Sequence, residues 1–354
     1  MNRLESLDWL RGLLALSIML YHLTCWTAFE PDASEVMGRL GIYGVSMFFI
    51  LSGLSMAEGY RRAITDLGSW GRFFLRRVFR IWPLLWMAVG IVTVAGVVIK
   101  HKPIDWAVVL LNITTLFGFV SPGAYVNTGA WSIGNEMVYY ALTPALLALY
   151  NHRLGYGNAV VAVTIAVGLV FGFHWLTPEQ TLASQWQLYI HPMNNLFFYC
   201  AGIAVACNAH TVSLSSRTLL LVLASAVAAF AAFPAGGDLI NIVTGLNRVL
   251  FFLVSATLVL CFYKMRITPP AWASRPLATL GVATYGVYLL HPIVFKFVEL
   301  AAKRVEVGTP AVVLGTVMLT IALSIATYRF FETPFIRLGK RLTPSTRAAQ
   351  VGGP

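Results

Sequence analysis

A chain of 354 residues that is 58% hydrophobic and only 11% charged, with a mean hydropathy of +0.74, is not an ordinary soluble domain. It reads as an all-α, polytopic integral membrane protein. The formal net charge of +11 does not call for nucleic acid. Lys and Arg gather in short loops between apolar segments, where the preference of basic residues for the cytoplasmic side accounts for them. Cys25, Cys200, Cys207 and Cys261 lie in or beside apolar segments without metal-ligand spacing, and are read as small core residues.

The first apolar segment, 9–27, is preceded by Glu5 and Asp8 and contains Arg11. A cleaved signal peptide has a clean apolar core, so this helix is expected to stay in the protein. Arg11 and His22 are eleven residues apart, roughly three turns and about 16 Å of rise, and therefore share a helix face. Asp8 falls close to that face. Ionisable groups at membrane depth are costly, and two on one face point to a site.

Further segments of spanning length fall at 40–58, 81–99, 131–150, 157–176, 192–208, 217–234, 246–263, 277–298 and 309–331, about ten in all. The Arg-rich loop 59–80, then Lys264, Arg266 and Arg275, then Arg337, Lys340, Arg341 and Arg347 mark three cytoplasmic anchors, which place both termini in the cytoplasm. Between anchors the number of crossings must be even. An eleventh candidate, 104–120, breaks that parity and is read as re-entrant or interfacial, with 100–130 on the outer side. The organisation expected is one transmembrane domain, 1–335, and a cytoplasmic tail, 336–354, with no fused soluble domain.

Polar residues interrupt four of these segments. Ser52, Gly53 and Ser55 lie in the second, where small residues let helices approach closely. Arg77 and Arg80 stand at the cytoplasmic entrance of the third; guanidinium forks match phosphate oxygens in geometry and charge. Glu136, following Trp131 and Ser132, lies in the outer half of its span at a depth similar to His22, so that carboxylate and imidazole are expected to pair. Tyr285, Tyr288 and His291 recur every three residues and form one polar stripe. Glu332 is expected beside Arg329 at the cytoplasmic edge in a structural role. His101, His152, His174, His191 and His210 sit at segment ends or in loops and carry no motif.

These stretches, in this order, carry a family resemblance. LDWLRGLLALSIMLYH (7–22) resembles the opening signature of the membrane-bound acyltransferase 3 family, with an Arg and a His ten intervening residues apart. FFILSG (48–53), RVFR (77–80), WSIGNE (131–136), YGVYLLH (285–291) and FFETP (330–334) resemble further family segments, with Ile133 where Leu is commoner. The resemblance implies a bacterial inner-membrane O-acyltransferase that moves acyl groups, usually acetyl, onto surface or exported polysaccharides. Acetyl-CoA, or another short acyl-CoA, is then a donor substrate rather than a resident cofactor, held by Arg77, Arg80 and Arg11, and no metal is expected. The expected partners are membrane lipid and a polysaccharide or lipid-linked glycan; the oligomeric state is open.

His22, with Glu136 and Arg11, is the implied catalytic group, either as general base for the attacking hydroxyl or as an acylated relay. Asp8, Ser52, Trp131, Ser132, Tyr285, Tyr288 and His291 are placed along the substrate path. From the residues alone a transporter using the same ionisable groups as a relay is the alternative, although it predicts repeat symmetry that the sequence does not display.

Overall fold

The structure, a computed structural model, describes residues 5–211, 213–265 and 269–344, the side chain of His210 excepted, and every regular element within them is helical. In chain order these are α1 (Glu5–Thr27), α2 (Val36–Tyr60), α3 (Leu67–Lys100), α4 (Trp106–Ile113), α5 (Phe117–Val120), α6 (Trp131–His152), α7 (Leu154–Val170), α8 (Trp186–Tyr189), α9 (Pro192–Asn208), α10 (Ser216–Ala232), α11 (Ile240–Val243), α12 (Gly245–Lys264), α13 (Ala271–Arg304), α14 (Thr309–Thr327) and α15 (Thr333–Leu342). Five-residue π-helical turns prolong α7 (Phe171–Trp175) and join α14 to α15 (Tyr328–Glu332). Arg266, Arg347 and the part of the expected tail beyond residue 344 lie outside the described residues.

Each apolar segment placed from sequence falls on one of the long helices. Six described helical stretches are long and apolar enough to cross a membrane: those of α2, α3, α7 with its π turn, α12, α13, and α14 through α15. The helix α10 is apolar but shorter. In α6 the polar side chains that dilute its hydropathy face inward: Asn135 and Thr143 are fully buried, as polar groups in a membrane helix must be.

Local signals set the boundaries. Asp66 caps α3 through a reciprocal box with Ser69, which satisfies two otherwise orphaned N–H groups. These bonds, led by the Ser69 backbone N–H, hold the Asp66 carboxyl below its usual range. Ser215 caps α10, and His191 caps α9 ahead of Pro192.

The 104–120 stretch is not one helix. It divides into α4 and α5 around Thr115, whose φ of 60° is left-handed, a conformation that ends a helix. The eight residues of α4 rise only about 12 Å, against roughly 30 Å of hydrocarbon. The end of α4 hangs on α3 through the indoles of Trp86 and Trp82, which donate to the Ile113 carbonyl and the Thr115 hydroxyl, while α5 packs on α6 with Gly118 against Gly134. Asn112 then ties the chain to its own return at Ala124 and Val126.

Two close helix pairs hold the bundle. Along α2 and α9, a Cβ on Gly53 would stand 2.0 Å from the Tyr199 carbonyl oxygen and one on Gly202 1.9 Å from that of Ile50. Along α1 and α13, a Cβ on Gly281 would stand 2.1 Å from the Asp8 carbonyl oxygen. Backbones approach this closely only where side chains are absent. The expected boundary at 335/336 falls inside α15, which packs on α3: Gly339 lies against Phe79, and Arg76 donates to the hydroxyl and carbonyl of Thr343.

Two outcomes follow. Gly53→Ala is expected to cost about 1–3 kcal/mol through overpacking, read as a lowered thermal midpoint in detergent; an unchanged midpoint would show that α2 and α9 part freely. Cysteines placed at Lys102 and Gly123 are expected to label with an impermeant maleimide from one and the same side of the membrane. Labelling from opposite sides would make 104–120 a crossing.

Candidate active site

Residues from α1, α2, α3, α6, α13, the α14–α15 turn and α15 line one cavity of about 860 Å³. Of the residues singled out in the sequence, Asp8, Arg11, Ser52, Arg77, Arg80, Ser132, Glu136, Tyr285 and Tyr288 are all on its wall. His22, His291 and Trp131 are not. Trp131 is 5% exposed and packs edge-on against Phe49 and Trp186, which makes it part of the frame.

On the α1 side, Arg11 donates to Asp8 at 2.8 Å and to the hydroxyl of Ser55. The Asp8 side chain is buried, so the pair brings a charge to depth already partnered. On the α6 side, Ser52 donates to Glu136 Oε1 at 2.6 Å and Tyr140 donates to the same oxygen. Two hydroxyl protons on one carboxylate oxygen fix the orientation of all three side chains.

The other cations differ from Arg11 in having no directly paired acid among the described residues. Arg77 donates to the Tyr60 hydroxyl at 2.8 Å and lies over the rings of Tyr60 and Tyr140 at 5.3 and 5.8 Å, while its Nε–H is buried without a partner. Arg76 is spent on Thr343. Among the described residues Arg80 and Lys340 make no hydrogen bond and no carboxylate comes within ion-pair distance of any of these four groups, although the buried Glu332 carboxyl is near enough to feel the Arg80 charge. A wall of cations with donors to spare suits a polyanionic ligand.

Where the cavity meets α13, the Ser132 hydroxyl, the Tyr288 hydroxyl and the Gly129 carbonyl form a closed triangle with edges of 2.9–3.0 Å. Gly129 has φ 83°, and a Cβ there would meet the Tyr288 oxygen at 3.0 Å; both facts require glycine at the start of this motif. Tyr285 donates to the Ile81 carbonyl at 2.8 Å, which stitches α13 to α3.

One turn beyond Tyr288, His291 is fully buried, and its Nε2 lies 2.9 Å from His22 Nδ1. The two rings lie edge to edge within 13° of parallel, their centroids 5.1 Å apart, and Trp26 stacks on His22 at 5.3 Å, only 6° from parallel. His291 Nδ1 lies 2.9 Å from the Val287 carbonyl oxygen. This corrects the expected His22–Glu136 pairing. Helix α1 runs against α13, so His22 meets His291, whereas the Glu136 carboxylate reaches only Ser52 on α2 and Tyr140 on its own helix. Glu332 is also misplaced by the sequence. The π turn buries it to 2% exposure, with both oxygens unpartnered, and leaves Arg329 exposed.

Sequence reasoning missed Tyr60, Tyr140 and Lys340 on the wall. Tyr140 was findable, since it stands four residues from Glu136 on one helix face. Lys340 falls in the segment that the sequence marks as a cytoplasmic tail. It also missed two buried arginines away from the cavity. Arg39, 1% exposed, donates to the carbonyls of Ala33, Phe230, Ala231, Phe233 and Ala235 and so satisfies the end of α10. Arg248, 3% exposed, donates to Val243 and Asn194 and lies over Phe197.

Residues 4–329 match the acyltransferase 3 family, described as an acyltransferase domain. The chain belongs to this family. It is 25% identical over 323 residues to the exopolysaccharide production protein ExoZ of Rhizobium meliloti, covering 87% of this chain and 94% of that protein. It is 22% identical over 366 residues to the O-acetyltransferase OatA of Staphylococcus aureus, covering 95% of this chain but 58% of OatA. The peptidoglycan O-acetyltransferase OatA of Listeria monocytogenes is also 22% identical, over 370 residues, covering 94% of this chain and 56% of that protein. The chain thus spans a little over half the length of the OatA relatives. No solved structure matches the chain. As an acyltransferase 3 member with several helices of membrane-spanning length, it is a multi-pass membrane protein.

Proposed function

We propose that this acyltransferase 3 protein transfers an acyl group, acetyl in the first instance, from cytoplasmic acyl-CoA to a hydroxyl of an exported polysaccharide or its lipid-linked precursor. One observation carries the reading: Arg11, Arg77, Arg80, Ser52, Glu136, Tyr285 and Tyr288, drawn from separate motifs, converge on one cavity whose cations at Arg76, Arg77, Arg80 and Lys340 form no ion pair among the described residues. Coenzyme A carries a pyrophosphate and a further phosphate, the charges such a wall would hold. The basic end of the bundle faces the cytoplasm by the positive-inside rule, in a bacterial inner membrane. The names of ExoZ and OatA, which mention exopolysaccharide production and O-acetyl transfer, support a glycan acceptor.

In this reading the phosphates rest at the basic mouth, the pantetheine arm runs inward past Ser52 and Tyr285, and the thioester approaches the Ser132–Tyr288 end. His22 takes the proton of the attacking hydroxyl, since a sugar hydroxyl is a weak nucleophile at neutral pH and imidazole is the side chain matched to that pH. If His22 is acylated first, the same position carries the group outward. Glu136 holds the hydroxyls of Ser52 and Tyr140 beside the arm.

Arg77→Ala/Arg80→Ala is expected to weaken coenzyme A binding, measured by calorimetry, without loss of fold; unchanged affinity removes the arginines from the donor site. His22→Ala is expected to lower turnover by on the order of 10²–10⁴ in folded protein supplied with acetyl-CoA and a soluble glycan. Near-normal turnover sinks the His22 assignment, and an acylated His22 found by mass spectrometry selects the relay.

A further inference from the structure

The hydrogen bonds around His22 and His291 admit one arrangement of protons. The Val287 carbonyl can only accept, so His291 Nδ1, 2.9 Å away, carries a hydrogen. A second proton on His291 would set a full charge on a ring with no exposure and no carboxylate bonded to it, which is costly. His291 Nε2 is therefore a lone pair, and His22 Nδ1, facing it at 2.9 Å, must bring the hydrogen. In the neutral His22 ring that leaves Nε2 as the unprotonated nitrogen.

We propose that His291 is a positioning residue that holds His22 in the Nδ1-protonated tautomer and so presents its Nε2 as the base. The inference rests on the reading of His22 as the group that takes the hydroxyl proton. Trp26 completes the clamp: stacked within 6° of the His22 plane, it restricts rotation about the ring's attachment, while His291 selects which nitrogen is free. When His22 accepts a proton at Nε2, its Nδ1–H bond to His291 becomes charge-assisted and strengthens. No carboxylate is needed for this; an imidazole anchored on a helix carbonyl fills the orienting place that an acid holds in other nucleophile–base systems. The proton moves from the acceptor hydroxyl to His22 Nε2 as the hydroxyl oxygen bonds to the acyl carbon, the carbon–sulfur bond breaks, and the proton leaves with the thiolate as coenzyme A thiol.

The experiment compares two variants of the purified full chain with acetyl-CoA and a soluble glycan. In His291→Gln an amide oxygen can still accept from His22 Nδ1–H; in His291→Leu nothing can. His291→Leu is expected to lower kcat by about 10- to 100-fold, the usual cost of losing a ligand-orienting partner, with KM for acetyl-CoA unchanged, and His291→Gln to recover most of that loss. Normal kcat in His291→Leu overturns the proposal, as does an equal loss in both variants accompanied by equally lowered thermal midpoints. Should His291→Leu fail to fold, nitrogen-15 spectra of histidine-labelled wild type, assigned by the signal lost in His22→Gln, decide the matter: protonation at His22 Nδ1 is expected, and protonation at Nε2 overturns it. If His22→Ala itself remains active, the general-base reading falls, which is a different result from an active His291→Leu beside an inactive His22→Ala.

Discussion

The contact on which the site depends is the approach of α1 to α13 at Asp8 and Gly281, where no side chain separates the two backbones. It fixes the rotation of α1 about its own axis, and with it the fate of every ionisable group on that helix. Asp8 and Arg11 are directed toward α2 and the cavity, where Arg11 also donates to Ser55. Further along, the same seam delivers His22 to His291 rather than to an acid. Because α13 also bonds to α3 through Tyr285 and to the Gly129 turn through Tyr288, one pair of helices sets the geometry of both the cavity and the histidines.

Buried arginines provide an internal control for what the cavity cations are doing. Arg39 and Arg248 are nearly inaccessible and hold carbonyl oxygens at close range, the means by which a structural cation is made tolerable away from water. Among the described residues Arg80 and Lys340 have no such cage; Arg77, like Arg248, keeps a buried Nε–H without an acceptor, but it does so on the cavity wall. What separates the two groups is where they lie: Arg39 and Arg248 are enclosed away from the cavity, whereas Arg77, Arg80 and Lys340 line it.

The positions of the long helices were legible because apolar length alone determines them, and the cavity wall was largely legible because its residues interrupt apolar runs. What the sequence could not display are pairings across great chain distance. His22 and His291 are 269 positions apart, and a similar depth assigned to Glu136 from hydropathy gave no information about which helix stands between. The division of 104–120 depends on a left-handed Thr115, a residue type with no special liking for that conformation. Lys340 looked like one more basic residue of a tail, since its amphipathic helix is short and gains its meaning only from packing on α3.

The separation of His22 from the cavity bears on how a cytoplasmic donor and an exported acceptor could meet under the proposed function. The cavity wall includes Tyr288 and Ser132, and His291, with His22 of α1 bonded to it, stands one helical turn further along α13. Tyr288 and Ser132 each bond to the Gly129 carbonyl, on a turn whose glycine leaves no side chain to resist displacement. An acyl thioester entering from the basic mouth would meet this triangle before it met His22, and an acceptor hydroxyl would arrive from the other side. On that route direct transfer needs both substrates to reach His22 at once, whereas acylation of His22 needs only the donor to reach it first. Under the proposed function the choice between general base and relay is thus one of access past Ser132 and Tyr288 as much as of the imidazole, which serves either course.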